Sequence, residues 1–215
     1  MSTETTHGRT EILHDRTPDD GRLEDRPHDR LPPRARILAA ASDLFYRHGI
    51  RAVGVEAIAE AARTNKMTLY RHFASKDELV AEYLRRLAGD ADAAWHSLET
   101  GHPGDARAQL RGWLAMMNDH IADPAARGCA LANAAVELPE KDHPARRVIE
   151  DHKRGVRDKL AELCRRAGLQ QPDLVADGLF ALLEGTHVCA QSIGEAGRAF
   201  DLVRMGEALI EAHSR

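Results

Sequence analysis

The chain is poor in cysteine, in aromatic residues and in long apolar runs, and each scarcity removes a class of protein. Its three cysteines, Cys129, Cys164 and Cys189, are odd in number and far apart, with no Cys-x-x-Cys pair. That pattern excludes a disulfide framework and a structural zinc site, and it predicts reduced thiols. No stretch reaches the roughly 18 apolar residues that span a bilayer, and the N-terminus is polar where a signal peptide needs an apolar centre, so a cytoplasmic chain with no membrane partner is expected. His-Glu-x-x-His, Gly-x-Ser-x-Gly, P-loop and Rossmann glycine patterns are all missing, which argues against an enzyme. The 12 histidines are scattered. His187 and Cys189, like Glu150 and His152, stand two positions apart, about 200° around a helix, and cannot share one ion. Neither a metal nor a cofactor is expected.

What is present points to helices. Hydrophobic residues make up 43% of the 215 residues, enough for a core, while aromatics are only 4%. Ala and Leu recur, and long stretches without Gly or Pro carry apolar residues at three- and four-residue spacing, so an all-α fold is expected and no strand. The net charge of −4 hides a division along the chain. Residues 32–86 hold 10 Lys/Arg against 6 Asp/Glu, whereas residues 87–215 hold 15 against 20. A short basic segment between acidic ones suits a small domain that meets phosphate.

Punctuation divides the chain into three parts. Residues 1–31 mix charges with Pro and Gly and show no apolar period, which predicts a disordered tail. Residues 32–82 open at Pro32-Pro33. Ile37, Ala41, Leu44 and Phe45 then form one face of a helix that stops at Gly49. Gly54 serves as N-cap of a short second helix with Val55, Ile58, Ala59 and Ala62 inward, and Asn65 caps a third over Lys66 to Phe73. Ser75 with Glu78 forms a capping box that opens a longer helix. Residues 83–215 read as the larger helical domain. After residue 75 about six helices are expected, with breaks at 101–104, 123–124, 138–144, 168–172 and 194–197. Pro124, Pro144 and Pro172 are each expected in the first turn of a helix.

Two short helices joined by a tight turn make a helix-turn-helix, whose second helix can enter the major groove of DNA. With Leu69 and Phe73 inward, a step of about 100° per residue puts Thr64, Met67, Thr68 and Arg71 on the outer face, with Tyr70 and His72 flanking it. Arg71 can donate two bonds to a guanine edge, and Thr68 and Met67 suit thymine methyls. Lys66, Tyr70, His72 and Lys76 lie where phosphates would be held, and Asn65 opens the helix.

The run GIRAVGVEAIAEAARTNKMTLYRHFASKDELV resembles the DNA-binding domain of the TetR (tetracycline repressor) family, with Thr68–Phe73 and Ser75–Leu79 in the family's T-L-Y-x-H-F-x-S-K-x-x-L register. The resemblance covers about residues 34–82. It implies that Lys66, Thr68, Tyr70, His72 and Lys76 touch DNA, while Leu69 and Phe73 hold the recognition helix to the core. Three positions depart from the family. Val53-Gly54 stands where a hydroxyl is common, Arg63 replaces the usual turn glycine, and Met67 replaces a glycine and puts bulk at the groove. If Arg63 is left-handed, it costs roughly 1–2 kcal/mol.

The resemblance further implies that residues 83–215 bind a small-molecule effector and dimerise, so that the protein is a ligand-responsive repressor acting as a homodimer on a palindromic double-stranded DNA operator. A helical interaction protein without DNA binding is the alternative. The last two helices, about 172–192 and 199–213, carry Val175, Leu179, Leu182, Leu183, Thr186, Ala190 and Ile193, then Phe200, Val203, Leu209 and Ile210. These stripes are candidates to pair across a two-fold axis, with Ala176, Gly178, Ala181 and Gly185 allowing close approach. Candidate pocket residues are Trp113, Met116, Met117 and His120 on one helix, Cys129 and Asn133 on the next, then His152 and His187.

Overall fold

The computed structural model describes residues 31–214, and the expected tail lies outside them but for Leu31. The order is α1 (Pro33–His48), α2 (Val55–Ala61), α3 (Lys66–His72), α4 (Lys76–Gly101), α5 (Ala106–Ala122), α6 (Ala130–Glu137), α7 (Pro144–Arg166), α8 (Pro172–Ser192), α9 (Glu195–Arg198) and α10 (Leu202–Ala212). No strand occurs among the described residues.

Local chemistry explains most helix ends. Pro33, Pro144 and Pro172 each sit in a first turn, where a missing N–H leaves no bond unmade. The Asn65 side chain accepts from Thr68 N at 2.8 Å, and Ser75 Oγ accepts from Glu78 N at 3.0 Å. The Glu78 carboxylate accepts from Ala74 N at 3.0 Å, one residue before the N-cap, so the expected capping box closes in an offset form. Gly49 ends α1 at φ +84°, a conformation that suits glycine. A Cβ there would also lie 3.0 Å from a Glu137 carboxylate oxygen. Arg63 is left-handed at φ +49° and carries the strain expected for a side chain there.

Pro124 does not start a helix. Asp123 accepts from Ala125 N through its carboxylate and from Ala126 N through its carbonyl, making a single turn. Gly128, at φ +69°, then stops it, and α6 begins only at Ala130. The expected break at 194–197 contains the four-residue α9.

Two cores hold the chain. The first joins Ile37, Phe45, Ile58, Leu69, Phe73 and residues of α4 from Leu79 to Leu84 to Leu131, Ala134 and Leu138 of the α6 region and Ile149 of α7. The second gathers Trp95, Leu110, Trp113 and Leu114 with Leu160, Cys164, Leu179, Leu202 and Ile210. Helix α4 belongs to both, through Leu84 in the first and Trp95 in the second, and the expected division at residue 82 falls inside it.

Most of the expected dimer stripe faces the chain's own core. Val175, Leu179, Leu183, Thr186 and Ile210 are buried, while Ile193 and Phe200 stay exposed. The opposite side of α8 carries Leu174 (55% exposed), Ala181, Gly185 and Val188 (60% exposed). These four recur at heptad-like spacing, as a stripe seeking a partner helix does.

Candidate nucleic-acid interface and internal cavity

Helix α3 rests on the first core through Leu69, fully buried, and Phe73 just after it. The opposite face is open: Met67 is 81% exposed, and Lys66, Tyr70 and Arg71 are also exposed. Thr64, Thr68 and His72 are half-buried, and Arg71 donates a long 3.4 Å bond to Thr68 Oγ1. Met67 and Arg71 face outward as the helical period predicts, whereas Thr64 and Thr68, expected beside them, are half-buried and the flanking Tyr70 is the more exposed.

Besides Arg71, three of the expected contacts have partners within the chain. Lys66 Nζ lies 2.6 Å from Glu56 Oε1, and the pair raises the lysine's pKa and lowers the carboxyl's. The same ammonium stands 6.0 Å over the Tyr70 ring. Asn65 spends its side-chain oxygen on the helix cap. Lys76 turns inward, donating to Ile50 O at 2.7 Å, and burial lowers its pKa. In the free chain its ammonium therefore ties α4 to the loop after α1, a contact the lysine's sequence position could not reveal.

Within the helical body lies a cavity of about 690 Å³. Seven of the eight sequence candidates line it: Trp113, Met116, Met117, His120, Cys129, His152 and His187. Asn133 does not. Its amide donates to Arg127 O at 2.7 Å and its oxygen accepts from Gln191 at 3.2 Å, which ties the 123–129 loop to α8. Sequence reasoning missed Trp95, Phe180, Lys153 and Glu184, which also line the cavity. Trp95 stacks on Trp113 with centroids 5.9 Å apart. Lys153 donates to Glu184 at 2.5 Å and to Cys129 Sγ at 3.3 Å. The lysine and glutamate sit 31 residues apart on different helices, so no local pattern announces the pair. A signal for Trp95 does exist, because the chain has only two tryptophans and the other is itself a candidate.

The cavity also touches the helix-turn-helix. Ser42, Asp43 and Tyr46 of α1 and Tyr83 of α4 line it. The Tyr46 hydroxyl accepts from Arg127 N at 2.6 Å. Beside it, Glu137 at the end of α6 accepts from Arg51 N at 2.9 Å through its carboxylate and from Arg51 Nε at 2.6 Å through its carbonyl. Arg51 also pairs with Glu140 at 3.0 Å. The loop after α1 is thus fastened to the body from two sides.

Residues 37–83 match the family model described as bacterial regulatory proteins, tetR family. The chain is similar to the HTH-type transcriptional activator FasR of Mycolicibacterium smegmatis, 42% identical over 64 residues, covering 28% of this chain and 29% of that protein. It is also similar to the HTH-type transcriptional repressor SCO4008 of Streptomyces coelicolor, 35% identical over 92 residues, covering 42% of this chain and 44% of that one. The chain thus spans less than half the length of either relative. Over the whole fold it resembles SCO4454, a TetR-family transcriptional regulator from Streptomyces coelicolor, with a TM-score of 0.80 and 29% identity over 85% of this chain and 96% of that one. The motif register, the family match over the three N-terminal helices and the likeness of the helical body agree: residues 37–83 form a DNA-binding domain of the TetR family, and the chain as a whole has the fold of a TetR-family transcriptional regulator.

Proposed function

We propose that the chain is a ligand-responsive repressor that binds a palindromic operator as a homodimer, with its effector held in the 690 Å³ cavity. The observation that carries this reading is the position of α1, which supports the recognition helix on one side and lends Ser42, Asp43 and Tyr46 to the cavity wall on the other. A molecule against Tyr46 presses on the helix that positions α3 and competes with the bond to Arg127. An effector releases DNA only as far as it binds the DNA-incompetent state more tightly, so bound operator weakens effector binding by the same factor. The cavity volume falls in the range of small-molecule sites. Repression, rather than activation, follows the relative named a repressor.

The stripe of Leu174, Ala181, Gly185 and Val188 supports a dimer through α8, with α10 beside it. Dimerisation puts two α3 helices about 34 Å apart, one turn of DNA. Selection of the purified chain on random duplex DNA, then binding of the enriched sequence over a range of salt, tests the reading. A palindrome with steep salt dependence is expected, and Val188→Arg should give a monomer in sedimentation that no longer holds it. Absence of enrichment from a folded dimer would favour a helical interaction protein instead.

A further inference from the structure

Among the described residues, one buried side chain on the cavity wall has ring nitrogens with unused hydrogen-bonding capacity. His187 of α8 is only 7% exposed; the Leu183 carbonyl one turn back lies near enough to act on the ring, but neither ring nitrogen makes a well-formed hydrogen bond among the described residues. Buried polar atoms in folded proteins are nearly always paired, so an orphaned pair of ring nitrogens on a cavity wall points to a group that arrives from outside the chain. His120 offers no bond: its ring stands edge-on with the centroids 5.9 Å apart. Burial first, then His120, pushes the His187 imidazole down to about 4, so the ring is neutral near pH 7. A neutral imidazole presents an N–H donor on one edge and an acceptor on the other, and a hydroxyl, which both donates and accepts, can bond whichever edge faces the cavity.

The surrounding charges narrow the choice further. Lys153 is already paired with Glu184 at 2.5 Å, so this cation is not free to await an anionic ligand. Asp43, Asp90 and Asp123 are exposed lining residues, and among the described residues only Asp43 has a partner cation, Arg47 at 2.7 Å. A rim of that sign repels anions. Inside it, the stacked Trp95 and Trp113, with Met116, Met117 and Phe180, make walls suited to a flat ring system.

We propose that the cavity selects an uncharged, largely apolar ring compound bearing a hydroxyl, and that His187 is the specificity-determining residue that hydrogen-bonds that hydroxyl through one ring nitrogen. This rests on the cavity being the effector site. The test is calorimetric titration of the full chain at neutral pH with 2-naphthol, its methyl isostere 2-methylnaphthalene, and the anion 2-naphthoate. 2-Naphthol should bind about tenfold more tightly than 2-methylnaphthalene, the worth of one well-made hydrogen bond, and 2-naphthoate most weakly. His187→Phe keeps the ring volume and should level the two neutral probes without weakening 2-methylnaphthalene. His187→Gln, which retains a donor and an acceptor, should recover part of the preference. Equal binding of the neutral probes to the native chain, a preference that survives His187→Phe, tightest binding by 2-naphthoate, or no binding of any probe would each overturn the proposal. Operator release by a compound of another class would leave the ligand-responsive reading standing while removing this one. Failure of the DNA selection would remove that reading and leave the titration to be judged by itself.

Discussion

The helix-turn-helix and the helical body hold their polar groups in opposite conditions. Around α3, Lys66 is paired with Glu56, Asn65 with Thr68 N and Arg71 with Thr68 Oγ1, all at the surface. In the body, His187 is buried with no partner among the described residues, and Lys153 is clamped between Glu184 and Cys129. Exposed pairs are worth little in water, so on the proposed DNA-binding reading a phosphate would replace Glu56 at small cost, with release of counterions favouring the exchange. A buried imidazole gains only from a molecule that enters and supplies what is missing. On the proposed function, one region would recognise its partner by exchanging bonds and the other by completing a set. The two meet at Tyr46 and Glu137, where α1 and the loop after it are fastened to the body.

The strongest way to break this comparison is to remove a side chain from the first core. Phe73→Ala, at a position 2% exposed, should cost about 3–5 kcal/mol and abolish operator binding. Hydrogen exchange should show α1–α3 losing protection while α8 keeps it. Equal loss in α8 would mean that the two cores unfold as one unit.

Acid probes the other side. His187 is held at about 4 against an ordinary value of 6.5, so between those values the unfolded chain binds a proton that the native chain refuses. Stability therefore rises with pH across that window and falls as pH drops from about 6.5 to 4, by on the order of 3 kcal/mol. His152, lowered by burial and then by Lys153, acts in the same direction. Denaturant titrations should show the slope, and His187→Phe should flatten it. An unchanged slope in the variant would assign it to other groups.

Smaller effects sharpen the surface half. Arg71→Ala should cost about 1–3 kcal/mol of operator binding and relax base preference at one position of each half-site. An unchanged preferred sequence would put a different face of α3 in the groove. Asn65→Ala removes a cap and should lower the stability of the N-terminal core by about 1 kcal/mol while leaving base preference intact. A changed preference would make Asn65 a reader of DNA as well as a cap.

The parts legible in the sequence are those governed by neighbours within a turn of helix. Gly49, Gly54, Asn65 and Ser75 end or begin helices at the expected positions because caps act over three or four residues. The facing of α3 follows from Leu69 and Phe73 and the helical period. Pro124 departs from expectation because its local signal is shared by helix starts and isolated turns, and Gly128 decides between them four residues later. Most of the α8 stripe expected to pair across a two-fold axis is turned inward, because size alone does not tell an outer face from an inner one. The larger apolar residues fill the chain's own core, and the smaller set with Leu174 and Val188 is left outside.

By itself, then, the sequence determined the all-helical class, the helix-turn-helix and its outer face, and much of the set of Trp, Met, His and Cys residues from which the cavity is made, since periodicity, capping and composition are local properties. Only the tertiary structure decided that Lys76 turns inward to Ile50, that Asn133 braces a loop instead of lining the cavity, that Lys153 finds Glu184, and that α1 serves both the recognition helix and the cavity. Each of these depends on segments far apart in the chain being packed together, and no spacing along the sequence encodes the distance between them.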